Sequence, residues 1–199
     1  MSDKSSPIVG VDIDGCLYPF DVAARTLLAL DGVDVPQGDV AEKWNHLASQ
    51  VTAEEWESIW AKHRREVMDS APPYPGSIKA LHRMEQIARL VLLTHRPRDV
   101  AHATMRWLAK YGINPSMLIH ASGESKASYV REMHMLAFID DRSETVREVI
   151  EETDTVVWMP RRGWNEDVQT VGQTRSLRFF DDWSDVADWV EIKCSTPRA

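Results

Sequence analysis

The chain has 199 residues, 43% hydrophobic and 27% charged, with a formal net charge of −8 at pH 7. That length holds one α/β domain with an insertion, and the acidic balance argues against a nucleic acid polymer or an anionic membrane as the general partner. No apolar run approaches the roughly 20 residues of a membrane span, no signal-peptide pattern opens the sequence, and Cys16 and Cys194 form no CxxC pair. A cytoplasmic, reducing location with free thiols is the expectation.

In chain order, Ile8 to Ile13 reads as a buried strand. Phe20 to Ser70 contains no buried strand and reads mainly as helices; Thr52 and Glu55 have capping-box spacing and open a helix through about Met68. Pro72-Pro73-Tyr74-Pro75-Gly76 then forces a non-helical connection. After it come a helix at Ile78 to Ala88, a strand at Arg89 to Leu93, and a helix at Asp99 to Tyr111 with Gly112 as its stop. Met117 to Ile119, Leu136 to Ile139, Thr155 to Trp158 and Ser176 to Phe180 read as strands. They alternate with helices at Ser125 to Met133, Glu144 to Glu152 and Ser184 to Glu191. This alternation predicts a doubly wound α/β fold: a parallel sheet with right-handed crossovers. Residues 1–19 and 72–199 form its core, and 20–71 a small helical cap inserted after the first strand.

Ligands of open α/β sheets bind beyond the carboxyl ends of the strands. The first strand is followed by Asp12, Asp14 and Gly15, and the second by Thr94, His95 and Arg96. Lys126 starts a helix, where a cation opposes the helix dipole. Asp140 and Asp141 end the fourth strand, where two adjacent acids call for a positive partner such as a divalent metal. Each feature alone has a plainer account: a solvated turn, a helix-opening threonine, a surface lysine, a capping acid.

Their order together (DxDG, a strand ending in Thr, then Lys, then a strand ending in DD) resembles the haloacid dehalogenase superfamily from Ile8 to about Val190. The resemblance implies a magnesium-dependent phosphatase with a Rossmann-like core and that family's first type of cap. Asp12 would attack phosphorus to form an aspartyl-phosphate, and Asp14 would protonate the leaving oxygen and then activate water. Mg2+ would be held by Asp12, the backbone carbonyl of Asp14 and Asp141, with Asp140 beside them. Thr94, His95 and Lys126 would bind the phosphate. The family's dehalogenases lack the second acid, so Asp14 implies phosphate chemistry.

Within the superfamily the chain is most similar to the 5'(3')-deoxyribonucleotidases. The similar stretches are Leu17-Tyr18-Pro19-Phe20, Tyr74-Pro75-Gly76, Ile139-Asp140-Asp141-Arg142 and the Trp-containing stretch from Phe180 to Trp189. The second motif departs from that group, with Thr94-His95 in place of Thr-Ser. The implied substrate is a small phosphomonoester, most of all a nucleoside monophosphate, whose base would stack on Phe20 and Trp44. Trp56 and Trp60, four apart, are expected to form the cap's own core. The alternatives are a sugar phosphate, a nucleic-acid 3'-phosphate, or a silent member of the family that binds a partner. Cys16 is expected to be a packed residue; His95 and Arg96 read equally as groups leaning toward the leaving group or as a loop pair that begins the next helix; and Arg161 to Asn165 is expected to be a solvated surface loop, the alternative being a mobile loop near the site.

Overall fold

The continuous apolar runs become strands that are largely buried, apart from the edge strand at Met117–His120. The computed structural model describes residues 6–35, 47–170 and 174–195. Strands β1 (Ile8–Val11), β2 (Arg89–Thr94), β3 (Met117–His120), β4 (Ala137–Ile139), β5 (Val156–Pro160) and β6 (Leu177–Phe180) form one six-stranded sheet in the order β3-β2-β1-β4-β5-β6. Every strand pairing is parallel. Alternate residues of one strand serve opposite layers. Leu90 and Leu92 of β2 pack with Leu81, Trp107 and Val186, whereas Val91 and Leu93 pack with Ala127, Val130 and Val146. This is why the strands show no polar alternation.

Helices α1 (Phe20–Leu30) and α2 (Ala53–Val67) lie between β1 and β2. The crossovers also carry α3 (Ser77–Met84), α4 (Ala101–Lys110), α5 (Lys126–Glu132), α6 (Ser143–Glu152) and α7 (Glu166–Gln169), and α8 (Trp183–Ser195) follows β6. The Thr52–Glu55 capping box is present in both directions. Gly112, at φ +66°, ends α4 as expected, and the N–H of Ile113 bonds back to the carbonyl of Leu108. The helix expected over Asp99 to Tyr111 begins as a 3-10 turn, Arg98–Val100, before α4 takes over.

The inserted helices pack through an aromatic cluster. Trp56 and Trp60 stack with centroids 6.3 Å apart, and the Phe20 ring meets Trp60 edge-on at 6.0 Å. Phe20 is therefore part of this cluster, and Trp44 lies outside the described residues. The segment that carries α1 and α2 begins and ends at one place, because the N–H of Tyr74 donates to the carbonyl of Leu17 at 2.9 Å. The fully buried Trp107 of α4 anchors the return, donating its indole N–H to the carbonyl of Ala71 at 2.7 Å. Trp107→Phe should keep most of the packing but orphan that carbonyl, lowering stability by about 1–3 kcal/mol. Trp107→Ala should cost about 3–5 kcal/mol. Urea denaturation of the two variants checks both the order and the size.

Candidate active site

Chain direction in a parallel sheet collects the ends of all six strands along one edge, and the order places β1 at its centre. β1 and β4 mark the switch point: the chain winds outward through β2 and β3, then returns to the other side of β1. Asp12 leaves β1 with its N–H still bonded to the carbonyl of Ile139 at 2.8 Å, so the ends of the two strands are locked side by side. The loop then folds tightly, with the N–H groups of Leu17 and Tyr18 both donating to the carbonyl of Ile13.

Gly15 makes this turn possible and does something more. Its φ is +78°, and a β-carbon there would fall 2.0 Å from Oδ2 of Asp141. The carboxylate of Asp141 occupies the space a side chain at position 15 would need.

Asp12, Lys126, Asp140 and Asp141 are all buried. The Lys126 ammonium lies 2.8 Å from Asp12 Oδ1 and 2.8 Å from Asp140 Oδ2. Both contacts are at hydrogen-bond distance, so the ammonium bridges the two carboxylates. Burial works against the lysine's charge, but the two carboxylates prevail and hold its pKa above the usual lysine range. Asp140 also accepts from the N–H of Arg142 at 2.9 Å, so both of its oxygens are engaged in orienting neighbours.

Asp12 and Asp141 are held differently. Burial pushes the Asp12 carboxyl from 3.8 up to about 7; Lys126 pulls against this, and Asp140 and Asp14 add to it. Burial, then Asp140 and Asp12, push Asp141 well above the carboxylate range. Among the described residues, Asp12, Cys16 and Asp141 form a buried cluster whose ligand atoms lie within 4.8 Å of one another. The Cys16 thiol is also pushed up by burial and then by Asp141, which keeps it protonated and packed as expected. Two buried carboxylates whose charge Lys126 alone does not balance, with oxygens within 4.8 Å of one another, fit a hard divalent cation such as Mg2+.

The other predicted residues take distinct places. The buried Thr94 hydroxyl oxygen accepts from the N–H of Arg96 at 3.1 Å, which leaves its own proton free to be donated. His95 is half-buried, and its Nε2 meets the carbonyl of Glu124 at 3.1 Å. A ring nitrogen facing a carbonyl must carry the proton. Burial, then Lys126, lower the imidazole's pKa, so His95 is a neutral tie between the β2 and α5 loops. The Asp14 side chain points away from the cluster to Arg96, whose Nε donates at 2.9 and 3.1 Å and Nη2 at 2.7 Å.

Two features escaped the sequence reading. Arg96, read there as evenly a loop residue or a leaving-group contact, is instead the partner of Asp14. The loop after β5, read as solvated surface, closes on the site. The Trp164 indole donates to Asp141 Oδ2 at 2.7 Å, the Asn165 amide donates to the carbonyl of Asp141 at 2.9 Å, and Arg162 Nε donates to the carbonyl of Gly15 at 3.2 Å. The rule that located the other residues, polar groups just past a strand's carboxyl end, applies equally to these.

No protein-family model and no curated protein sequence matches the chain. Solved structures do match in fold. A haloacid dehalogenase-like family hydrolase from Streptococcus pneumoniae is similar with a TM-score of 0.66 and 13% identity, covering 92% of this chain and 98% of that one. A hydrolase of the same superfamily from Deinococcus radiodurans, solved with bound phosphate and sodium, gives 0.65 and 13%, covering 98% of this chain and 100% of the other. An L-2-haloacid dehalogenase gives 0.58 and 12%, covering 94% and 100%. The chain therefore has the fold of haloacid dehalogenase-like hydrolases, and likeness at this level of identity concerns the fold alone.

Two outcomes follow from the acid cluster. Without metal, the folded protein binds the Asp12 proton more tightly than the unfolded chain does. The resulting stabilisation is complete below about pH 4 and is lost as the pH rises through about 7. The melting temperature of metal-free protein should fall across that rise, and the Asp12→Asn variant should lose much of the dependence, as read by calorimetry. Trp164→Phe frees one oxygen of Asp141 and should weaken Mg2+ binding by roughly 10- to 100-fold in a titration, with little change in the fold.

Proposed function

We propose that this chain is a phosphatase for small phosphomonoesters. The observation that carries the reading is the pair of acids on one loop in opposite environments. Asp12 is buried against Lys126 beside the end of β4, and Asp14 is turned aside onto Arg96. One carboxylate is placed to attack, and the other stands two residues away to move a proton. The same fold serves a dehalogenase. Dehalogenases of the superfamily lack the second acid, so Asp14 supports phosphate over halide chemistry.

An Asp12 oxygen bonds to phosphorus as the ester oxygen departs, and the Asp14 carboxyl gives that oxygen its proton. Asp14, now a carboxylate, takes a proton from water, whose oxygen displaces Asp12 and releases phosphate. The Thr94 hydroxyl and the Lys126 ammonium hold the phosphoryl oxygens through both steps, preorganised by the Arg96 N–H and by Asp140. Mg2+, when bound by Asp12, Asp141 and the backbone carbonyl of Asp14, neutralises charge on the phosphoryl group. Asp140 supports the site through Lys126, and His95 by joining two of its loops.

Within this chemistry, a nucleoside monophosphate is the substrate we favour. The support is the sequence likeness to deoxyribonucleotidases around Tyr18, Pro75 and Ile139-Asp140-Asp141-Arg142, together with the aromatic content of residues 20–71, which we assign as the cap. Among the described residues no helix is long and apolar enough to cross a membrane, and Cys16 and Cys194 are free; a reducing, cytoplasmic setting agrees with both.

The test is direct. Purified protein with Mg2+ should release phosphate from para-nitrophenyl phosphate, and across a panel of monophosphates it should favour nucleotides. Asp12→Asn should abolish release, and the metal-free variant should melt no lower than wild type, because the substitution removes a buried charge. Wild-type rates in Asp12→Asn would refute the nucleophile. A preference for sugar phosphates would refute the nucleotide assignment, and inactivity of folded wild type would favour a silent binding protein.

A further inference from the structure

Arg96 is almost wholly buried, with 1% of its side chain exposed, and its charge is paired with Asp14. Its planar fork is divided between two parts of the molecule. Nε and Nη2 grip the Asp14 carboxylate. Nη1 donates at 3.1 Å to the carbonyl of Met68 and at 3.1 Å to the hydroxyl of Thr104. The guanidinium also lies over the Tyr18 ring, 4.6 Å from its centre. Met68 is the residue that ends α2, and the preceding carbonyl, that of Val67, is taken by the Tyr18 hydroxyl. The end of α2 is thus bonded twice to side chains of the loops that follow β1 and β2.

We propose that Arg96 is the positioning residue for proton transfer: it sets the orientation of Asp14 and registers that orientation against the end of α2. This rests on the reading of Asp14 as the acid that protonates the leaving oxygen. Arg96 itself touches neither phosphorus nor the leaving group. Of the two carboxylate oxygens, Oδ1 faces both Nε and Nη2, whereas Oδ2 faces Nε alone. Oδ2 is therefore the oxygen with room to carry the proton it delivers. A lysine would keep the charge but has a single point of donation. It cannot hold a carboxylate by two edges and a helix end at the same time.

A structural brace and a positioning residue differ in how their loss depends on the leaving group. Phenyl phosphate and para-nitrophenyl phosphate have nearly the same shape. Phenol, like tyrosine, has a pKa of about 10 and must be protonated as it departs, whereas nitrophenolate leaves readily without a proton. The quantity to measure is kcat/KM, which reports on the step that expels the leaving group, for wild type, Arg96→Lys, Asp14→Asn and the double variant, all with Mg2+. Arg96→Lys should lose on the order of tenfold more on phenyl phosphate than on para-nitrophenyl phosphate. In the Asp14→Asn background it should add no more than about twofold, because both changes disable one function.

Equal losses on the two substrates, or losses that multiply in the double variant, would overturn the proposal and leave Arg96 as a brace. If Arg96→Lys does not fold by circular dichroism, Thr104→Val decides. It removes one hydrogen bond from Nη1 at nearly constant volume and should shift the substrate ratio in the same direction by a few-fold, while an unchanged ratio refutes the proposal. Inactivity of wild type on both esters would instead refute the phosphatase reading itself.

Discussion

The arrangement depends on a charge imbalance at the centre of the sheet's carboxyl edge. Asp12, Asp140 and Asp141 are buried there with one buried ammonium, that of Lys126. Such a grouping is costly unless a further positive charge arrives, and the raised Asp12 and Asp141 carboxyls express that cost. Asp140 and Lys126 neutralise each other and form a fixed polar floor. The remaining pair, Asp12 and Asp141, is the part the polypeptide leaves unbalanced. A site of this kind trades stability for an affinity it can realise only when a cation or a substrate is present.

Around that floor the chain spends its hydrogen bonds on orientation. Trp164 and Asn165 fix the two ends of Asp141, the N–H of Arg142 and Lys126 fix Asp140, and Arg96 fixes Asp14. These partners come from the ends of β2, β4 and β5 and from the start of α5, so a single sheet edge supplies the charged groups and most of what holds them. Helices α1 and α2 contribute chiefly through the chain that flanks them. There the Met68 carbonyl reaches Arg96 and the Val67 carbonyl reaches the Tyr18 hydroxyl.

The elements were legible because their physics is local. A strand buried on both faces must be apolar throughout, as β2 is, and a helix with Thr52 and Glu55 at its start or Gly112 at its end declares its limits. Asp12, Asp14, Thr94, Lys126, Asp140 and Asp141 could be singled out because each is a polar group at the carboxyl end of a strand or at a helix start. What stayed hidden depends on side-chain reach. Nothing in the spacing of Arg96 shows that its side chain reaches Asp14. Likewise Arg162-Gly163-Trp164-Asn165 has the composition of a surface loop, and only the register of β5 beside β4 brings Trp164 onto Asp141. Phe20 illustrates the converse: an aromatic residue shortly after the Asp12–Gly15 turn is in edge-on contact with Trp60.

Gly15 and Asp141 share one volume, since a methyl group on the first would overlap the carboxylate of the second. The two positions lie in separate halves of the chain, yet neither can change freely while the other stays as it is. A larger residue at 15 becomes admissible only if 141 shrinks, and shrinking 141 gives up the acid. In descendants of this sequence the two sites should therefore be inherited as a unit, lost together when the chemistry is abandoned and kept together while it is retained.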